Sequence, residues 1–364
     1  MHIMHITEAL GGGVLNVIQQ LSSLQSDANH DVTIVHSTRT DTPKLPELLK
    51  IFPEPITCIE LKMQTNISLL QDLGSLLKLL KIIKKINPDV IHLHSSKAGV
   101  LGRIACKLSG RSSACFYTPH GFSFLRKDIS SKKRSIFKAI ENISSFFGGT
   151  TIACSQSELD HAKSAGQKKA ILIENSIPLN LVSEAIGSPS GCRITSSGRL
   201  CNQKNPSAFR QIAIALNKEP ASFLWIGDGE LKHELMIDDK LPENLDLTGW
   251  IAREVVVSYL DRSDIFVMTS LWEGMPLALI EAQAAGLPAV VLNVEGCKDI
   301  VTDGVTGFIC DDIDQMQNRL KQLICDSKLR KKMGLSARKI ALRRFAEDRM
   351  SSETLAAYAT ALHT

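Results

Sequence analysis

The sequence of 364 residues has no apolar run near the roughly 18 residues that a membrane-spanning helix needs. Its start, Met1-His2-Ile3-Met4-His5-Ile6, lacks the basic residues and apolar stretch of a secretion signal, so cytoplasmic placement is the expectation. The nine cysteines, at 58, 106, 115, 154, 192, 201, 297, 310 and 325, are odd in number and contain no C-x-x-C pair. That pattern fits neither a disulfide framework nor a zinc ribbon, and without export the sequons Asn66-Ile67-Ser68 and Asn142-Ile143-Ser144 carry no weight. Aromatic residues are only 5% of the chain, too few for a base-stacking platform, which argues against a nucleic-acid partner. Neither G-x-G-x-x-G nor a Walker-type G-x-x-x-x-G-K-[ST] occurs, and a dinucleotide-dependent dehydrogenase is disfavoured accordingly.

What is present is an ordinary globular composition, 44% apolar and 22% charged, long enough for about two domains at roughly 150 residues each. The net charge of +4 is unevenly spread: residues 1–188 hold 21 Lys and Arg against 15 Asp and Glu, and the remainder holds 21 against 23. The basic excess concentrates in Lys78-Leu79-Leu80-Lys81-Ile82-Ile83-Lys84-Lys85 and in Arg126 through Lys132-Lys133-Arg134 to Lys138. Both carry apolar residues at helical spacing, so each could lie on an anionic membrane surface or pack one face on a core and solvate the other. Core packing is the expectation for 76–86. For 126–147, where Ile136, Phe137, Ile140 and Phe146-Phe147 follow the cations, the two readings stand level.

Short β-rich apolar runs alternate with amphipathic helical stretches, the pattern of parallel sheets wrapped by helices. Expected strands are 2–6, 32–35, 90–93, 115–118, 151–153 and 170–173, then 193–197, 222–226, 245–247, 265–269 and 289–292. Asn175-Ser176-Ile177-Pro178 and Gly187-Ser188-Pro189-Ser190-Gly191 interrupt the alternation and mark a domain boundary. The expectation is an α/β chain with a first domain over 1–180, a second over 190–345, and a last helix within 346–364. In open parallel sheets ligands gather at the carboxyl ends of strands, so function belongs in the strand-to-helix loops.

The most informative loop runs Ser270-Leu271-Trp272-Glu273-Gly274-Met275-Pro276-Leu277-Ala278-Leu279-Ile280-Glu281-Ala282. Gly274 and Pro276 shape a helix start whose backbone amides favour a phosphate or sugar hydroxyls, with Glu273 before the helix and Glu281 inside it. A single first-turn glutamate is usually a capping group; two around such a start are less easily structural. A second loop, Ser197-Gly198-Arg199-Leu200-Cys201-Asn202-Gln203-Lys204-Asn205-Pro206, sets two cations at a strand end, where they can neutralise a diphosphate without a metal. Gly11-Gly12-Gly13 links the first strand to a helix expected over 14–21 and allows close backbone approach to a phosphate. Thr118-Pro119-His120-Gly121-Phe122 places a histidine at another strand end. His92 and His94 read mainly as structural, and Asp312-Ile313-Asp314 reads as a helix cap rather than a metal site.

Together, Gly198-Arg199 with Lys204, the E-x7-E spacing of Glu273 and Glu281, the glycine loop and Pro119-His120-Gly121-Phe122 resemble the large retaining glycosyltransferase family of GT-B fold. The likeness covers nearly the whole chain. Ile91-His92-Leu93-His94-Ser95-Ser96-Lys97-Ala98-Gly99 and His120-Gly121-Phe122-Ser123-Phe124 are similar to members that build bacterial capsule, O-antigen or exopolysaccharide. The resemblance implies two Rossmann-like domains facing a central cleft, acceptor on the first and nucleotide-sugar donor on the second, with the final helix crossing back to the first. It implies that Arg199 and Lys204 bind the donor diphosphate, with Gly12 and Gly13 approaching it. Glu281 would hold ribose hydroxyls, while Glu273 with Gly274, Met275, Pro276 and Leu277 would hold the transferred sugar. His120 would sit over the reaction centre, and Gly227, Gly249, Trp250 and Ile251 would line the base. Cys201, Asn202 and Cys297 depart from the usual pattern and bear on sugar selectivity.

The resulting expectation is a retaining transferase that needs no metal or other cofactor. It moves a hexose or N-acetylhexosamine from a UDP-sugar to a lipid-linked saccharide, peripherally at the inner face of the cytoplasmic membrane. The alternatives are an enzyme like UDP-N-acetylglucosamine 2-epimerase and a non-catalytic nucleotide-sugar-binding protein. The first would need acid and base groups that the sequence does not display.

Overall fold

A computed structural model describes the chain except Thr40 and residues 65–67, 179–182, 189–190 and 363–364. Asn66 and Ile67 of the first sequon, Pro189 and Ser190 of the boundary segment, and His363 at the end of the final helix therefore lie outside the described residues. The chain divides into two units, one comprising 1–125, 129–175 and 347–364, the other 126–128 and 176–346.

Unit 1 holds seven strands: β1 (His2–Thr7), β2 (Asp31–His36), β3 (Thr57–Glu60), β4 (Val90–His94), β5 (Cys115–Thr118), β6 (Thr150–Ala153) and β7 (Ala170–Leu172). Their order is β3-β2-β1-β4-β5-β6-β7 and every pairing is parallel. Helices α1 (Gly12–Asp27), α2 (Leu45–Ile51), α3 (Leu69–Ile86), α4 (Ser96–Leu108), α5 (Ser131–Ser145) and α6 (Gln156–Ser164) connect them. Because both faces of a parallel sheet are covered, the central strands are buried on both sides; Ile3, Met4, Ile6, Ile91 and Leu93 are fully buried, and so are the polar His5 and His94.

Unit 2 repeats the scheme with β8 (Cys192–Ser197), β9 (Ala221–Ile226), β10 (Leu245–Leu247), β11 (Ile265–Met268), β12 (Ala289–Leu292) and β13 (Gly307–Cys310), ordered β10-β9-β8-β11-β12-β13. Its helices are α7 (Pro206–Ala215), α8 (Arg253–Asp261), α9 (Leu277–Ala284), α10 (Cys297–Ile300), α11 (Ile313–Cys325) and α12 (Ser327–Arg344). The last helix, α13 (Glu347–Leu362), belongs to unit 1, where Met350, Thr354 and Tyr358 are buried and Tyr358 meets Phe116 of β5 with ring centroids 4.8 Å apart. Asp312 accepts from the Gln315 amide at 2.8 Å and caps α11, as its sequence context indicates.

In each sheet the strand order reverses at one place, between β1 and β4 in unit 1 and between β8 and β11 in unit 2. The loops leaving two such strands diverge to opposite faces of the sheet and leave a crevice, where ligands of open α/β sheets bind. The loops carrying Gly12, His120, Lys204, Gly227 and Glu273 leave these strands or their immediate neighbours, whereas the loop over residues 249–251 leaves the edge strand β10.

Candidate active site

In unit 2 the two loops at the reversal point are locked together by a buried ion pair. Lys204 Nζ, from the loop after β8, donates to Glu273 Oε1, from the loop after β11, at 2.7 Å. The side chains are 17% and 7% exposed, so the pair is shielded far more than a surface salt bridge. Gln203 Nε2 donates to Glu273 Oε2 at 3.1 Å and to the Trp272 carbonyl at 3.0 Å, and Thr269 Oγ1 donates to the Lys204 and Asn205 carbonyls. Burial would lower the Lys204 pKa, but the Glu273 carboxylate outweighs it and the net shift is upward, which keeps the ammonium charged.

The backbone packs closely enough to demand glycine. A Cβ at Gly227 would lie 2.3 Å from the Gly198 carbonyl oxygen, with φ at +131°, and one at Gly296 would lie 2.5 Å from that of Gly274. Gly227 also bridges Gly249, whose neighbour Trp250 is 64% exposed; Ile251 is half-buried. Glu273 precedes α9, whose cap is Pro276, and Gly274, Met275, Pro276 and Leu277 form its buried entry. Ser270, in the same loop, has a fully buried hydroxyl with no partner among the described residues. No sequence pattern distinguishes that serine, because only its lost solvent makes its hydroxyl conspicuous.

Two details revise the picture of open cations and carboxylates drawn from sequence. Arg199 Nε pairs with Glu230 Oε2 at 3.0 Å, and Glu281 Oε1 accepts from Arg253 Nη2 at 2.5 Å and Nε at 3.0 Å. Arg253 opens α8 and lies 28 residues before Glu281 in sequence, so local pattern could not couple them. Cys297, one of the departures from the family pattern, is fully buried with Sγ 3.5 Å from Met268 Sδ, and burial pushes its thiol pKa far up, which makes it a packing group.

Unit 1 carries the remaining candidates. Gly12 and Gly13 are not loop residues: α1 starts at Gly12, two residues before the expected start, with Gly11 as its cap. Glycine lowers helix stability only in a helix interior, and the first turn makes few intrahelical bonds, so the helix extends through it. The space where their Cβ atoms would be is empty to 4 Å. His120 follows β5 in the left-handed region, φ +56°, and its loop is held by Glu158, which accepts from the Gly121 and Cys154 amides at 2.6 and 2.7 Å. His120 Nε2 lies 2.9 Å from His94 Nδ1, and His94 Nε2 lies 3.0 Å from His5 Nδ1. His5, His92 and His94, all buried, are the group able to offer three ligand atoms to a metal among the described residues, within 4.8 Å of one another. His92 and His94, which in sequence read mainly as structural, thus share a polar cluster with His5.

Residues 190–340 match the family described as glycosyl transferases group 1, and residues 11–181 match glycosyltransferase family 4. Over 346 residues the chain is 34% identical to the Escherichia coli UDP-Gal:alpha-D-GlcNAc-diphosphoundecaprenol alpha-1,3-galactosyltransferase, with 87% of this chain and 86% of that one aligned. The chain belongs to the group 1 glycosyltransferases. It is also 25% identical, over 92% of its length and 91% of the relative's, to the capsular polysaccharide biosynthesis glycosyltransferase CapM of Staphylococcus aureus. Among solved structures it is similar to Anabaena HepE in complex with UDP and glucose, at a TM-score of 0.79 and 18% identity over 99% of this chain and all of that one. The fold of this glycosyltransferase is GT-B, with two Rossmann-like units and a last helix that returns to the first.

Proposed function

We propose that this glycosyltransferase takes a hexose or N-acetylhexosamine from a UDP-sugar, with retention of configuration, and adds it to a lipid-linked saccharide in bacterial surface polysaccharide synthesis. The observation that carries the reading is the buried Lys204–Glu273 pair at the reversal point of the unit 2 sheet. An ammonium has three N–H donors, and Glu273 uses one, so two remain for diphosphate oxygens. Each Glu273 oxygen takes one bond, from Lys204 or from Gln203, and keeps capacity for a sugar hydroxyl. The cation and the carboxylate are therefore in place before the donor arrives, so little reorganisation is needed as charge develops on the leaving diphosphate.

In this reading Arg199 exchanges Glu230, a partner 53% exposed, for the diphosphate, and the first turn of α9 adds its backbone amides. Glu281, aligned by Arg253, takes the ribose hydroxyls, and Gly227, Gly249, Trp250 and Ile251 line the base. Gly12 and Gly13 give a bare backbone to a phosphate, and His120 contacts a hydroxyl of the transferred sugar. The acceptor hydroxyl attacks from the leaving-group face and gives its proton to the departing phosphate. Protein cations supply the charge compensation, and no metal is required.

The lipid-linked acceptor is supported by the Escherichia coli relative, a galactosyltransferase named for alpha-D-GlcNAc-diphosphoundecaprenol. No described helix is long and apolar enough to cross a membrane. On α5 and its C-cap, Ile136, Ile143 and Phe146 are exposed beside exposed Lys132, Lys133 and Lys138, which supports peripheral contact with anionic lipid at the cytoplasmic face. On α3 the expected core packing is present, with Leu79 and Ile83 buried.

The deciding experiment incubates the full chain with a panel of UDP-sugars, with and without undecaprenyl-diphosphate-linked saccharides, and follows UDP release and product anomeric configuration by NMR. Acceptor-dependent UDP release with the donor configuration kept is the expected result. Donor isomer interconversion without acceptor would make the protein an epimerase, and binding without turnover would make it a binding protein. Loss of activity in EDTA, restored by a divalent cation, would overturn the metal-free mechanism.

A further inference from the structure

Beneath His120 the structure holds a continuous run of hydrogen-bonded imidazoles inside unit 1. His5 on β1 and His92 on β4 are register partners, and His94 lies two residues on, so all three project from one face of the sheet. That face is covered by α1, which brings Gln25, and by α13, which brings Tyr358. The run begins at Gln25 Oε1, 2.8 Å from His5 Nε2, passes from His5 Nδ1 to His94 Nε2, and ends from His94 Nδ1 to His120 Nε2. His5 and His94 are completely buried, and His120 is the partly exposed end. His92 is a side branch, with Nδ1 2.5 Å from the Tyr358 hydroxyl and Nε2 2.8 Å from Thr118 Oγ1.

Each neutral imidazole has one N–H and one lone pair, so the tautomers of a run like this are set head to tail. Burial pushes His5 and His120 down to about 4, and His94 well below its ordinary value, so the rings are neutral at pH 7. The charges acting on His92 and His94 are those of the other histidines in the cluster. A carbonyl oxygen only accepts; Gln25 Oε1 therefore requires the proton on His5 Nε2, which leaves His5 Nδ1 to accept from His94 Nε2, and His94 Nδ1 to accept from His120 Nε2. His120 Nδ1 is left as a lone pair at the exposed end.

We propose that Gln25, His5 and His94 are positioning residues whose hydrogen-bonded run fixes the His120 tautomer, so that Nδ1 accepts a hydrogen bond from a substrate hydroxyl. The substrate part rests on the transferase reading; the tautomer part does not. The His5–His92–His94 group does not act as a metal site in this arrangement, because both nitrogens of every ring already have a partner.

The test is two-bond 1H–15N NMR on the full chain labelled with 15N-histidine at pH 7.5, first without substrate. His5, His94 and His120 should each appear as a single neutral Nε2–H form. In Gln25→Leu the Nδ1–H form should enter at all three rings in equal proportion, and in Gln25→Glu, where an acceptor is restored, the Nε2–H pattern should return. In the transfer assay Gln25→Leu should lower kcat/KM about tenfold with UDP affinity unchanged, and Gln25→Glu should recover it. Nδ1–H at His120 in the unaltered protein, rings that change independently, or stoichiometric coordination of added zinc chloride would overturn the proposal. Should no UDP-sugar be turned over while the NMR pattern holds, the transferase reading fails and the relay stands.

Discussion

The two units build their candidate sites from opposite kinds of chemistry. Unit 2 concentrates full charges, with Lys204 on Glu273, Arg253 on Glu281 and Arg199 on Glu230. Unit 1 uses neutral rings, a buried run of histidines ending at His120. Fixed charge suits a diphosphate whose negative charge grows as the bond to the sugar breaks. A neutral lone pair of defined direction suits a hydroxyl, which a buried cation could not accept from. On the proposed reading unit 2 supplies the diphosphate cations together with the carboxylate acceptors Glu273 and Glu281, and unit 1 adds a neutral hydroxyl acceptor, His120.

The largest expected effect is on the charged side. Glu273→Ala should lower the transfer rate by about 10³-fold while UDP affinity holds or rises, because Lys204 loses its competitor for the phosphate. Steady-state rates beside calorimetric UDP binding read both, and equal loss of affinity would break the assignment of Glu273 to the sugar. Lys204→Ala should raise the UDP Kd about 100-fold and destabilise the protein by about 3 kcal/mol, since Glu273 is left buried without its cation. Unchanged UDP binding would remove Lys204 from the phosphate site.

The neutral side should respond to acid. The His5 pKa is lowered from 6.5 to about 4 in the folded state, so the unfolded chain binds the extra proton. The stability this provides is complete above pH 6.5 and is lost as pH falls toward 4, by about 3 kcal/mol for this ring alone. Glu141, which accepts from the Tyr117 hydroxyl at 2.9 Å, acts in the other direction. Burial raises its pKa from 4.5 to about 7, so its contribution is complete below 4.5 and is lost as pH rises through 7. Urea denaturation of Glu141→Gln with and without His5→Gln across this range reads the His5 contribution, and a pH profile that His5→Gln leaves unchanged below pH 6.5 would mean that this ring is not buried neutral. Arg253→Ala should weaken UDP about tenfold and 2′-deoxy-UDP less, through the misaligned Glu281. Smallest is the lipid effect: vesicles with anionic lipid should float the protein, and Ile136→Glu with Phe146→Glu should reduce flotation severalfold.

Much of the architecture is visible in the sequence because it depends on local patterns. The strand-and-helix alternation is written in runs such as Val90-Ile91-His92-Leu93 and Ala289-Val290-Val291-Leu292, which are buried on both faces. The strands that escaped are β3 and β13, each four residues long at a sheet edge, where Thr57 and Glu60 of β3 are exposed and the apolar signal is short. Helix α12 escaped for a related reason: its burial falls on Met333, Gly334, Ala337 and Ala341, small contacts among ten charged or polar neighbours that give little periodicity. At the site, the loops carrying Glu273, Lys204 and His120 were legible from glycine, proline and charge.

By itself, the amino-acid sequence determined where the strands and helices form and which loops carry chemical groups, because hydrophobic periodicity, turn residues and helix caps act over a few neighbouring positions. Only the tertiary structure decided which groups face one another. Glu281 meets Arg253, Lys204 meets Glu273 and Gln25 meets His5 because sheet order and helix packing bring distant stretches within hydrogen-bond reach. Burial then sets what each group does: a lysine withdrawn from water beside a glutamate stays charged, and a histidine withdrawn from water stays neutral.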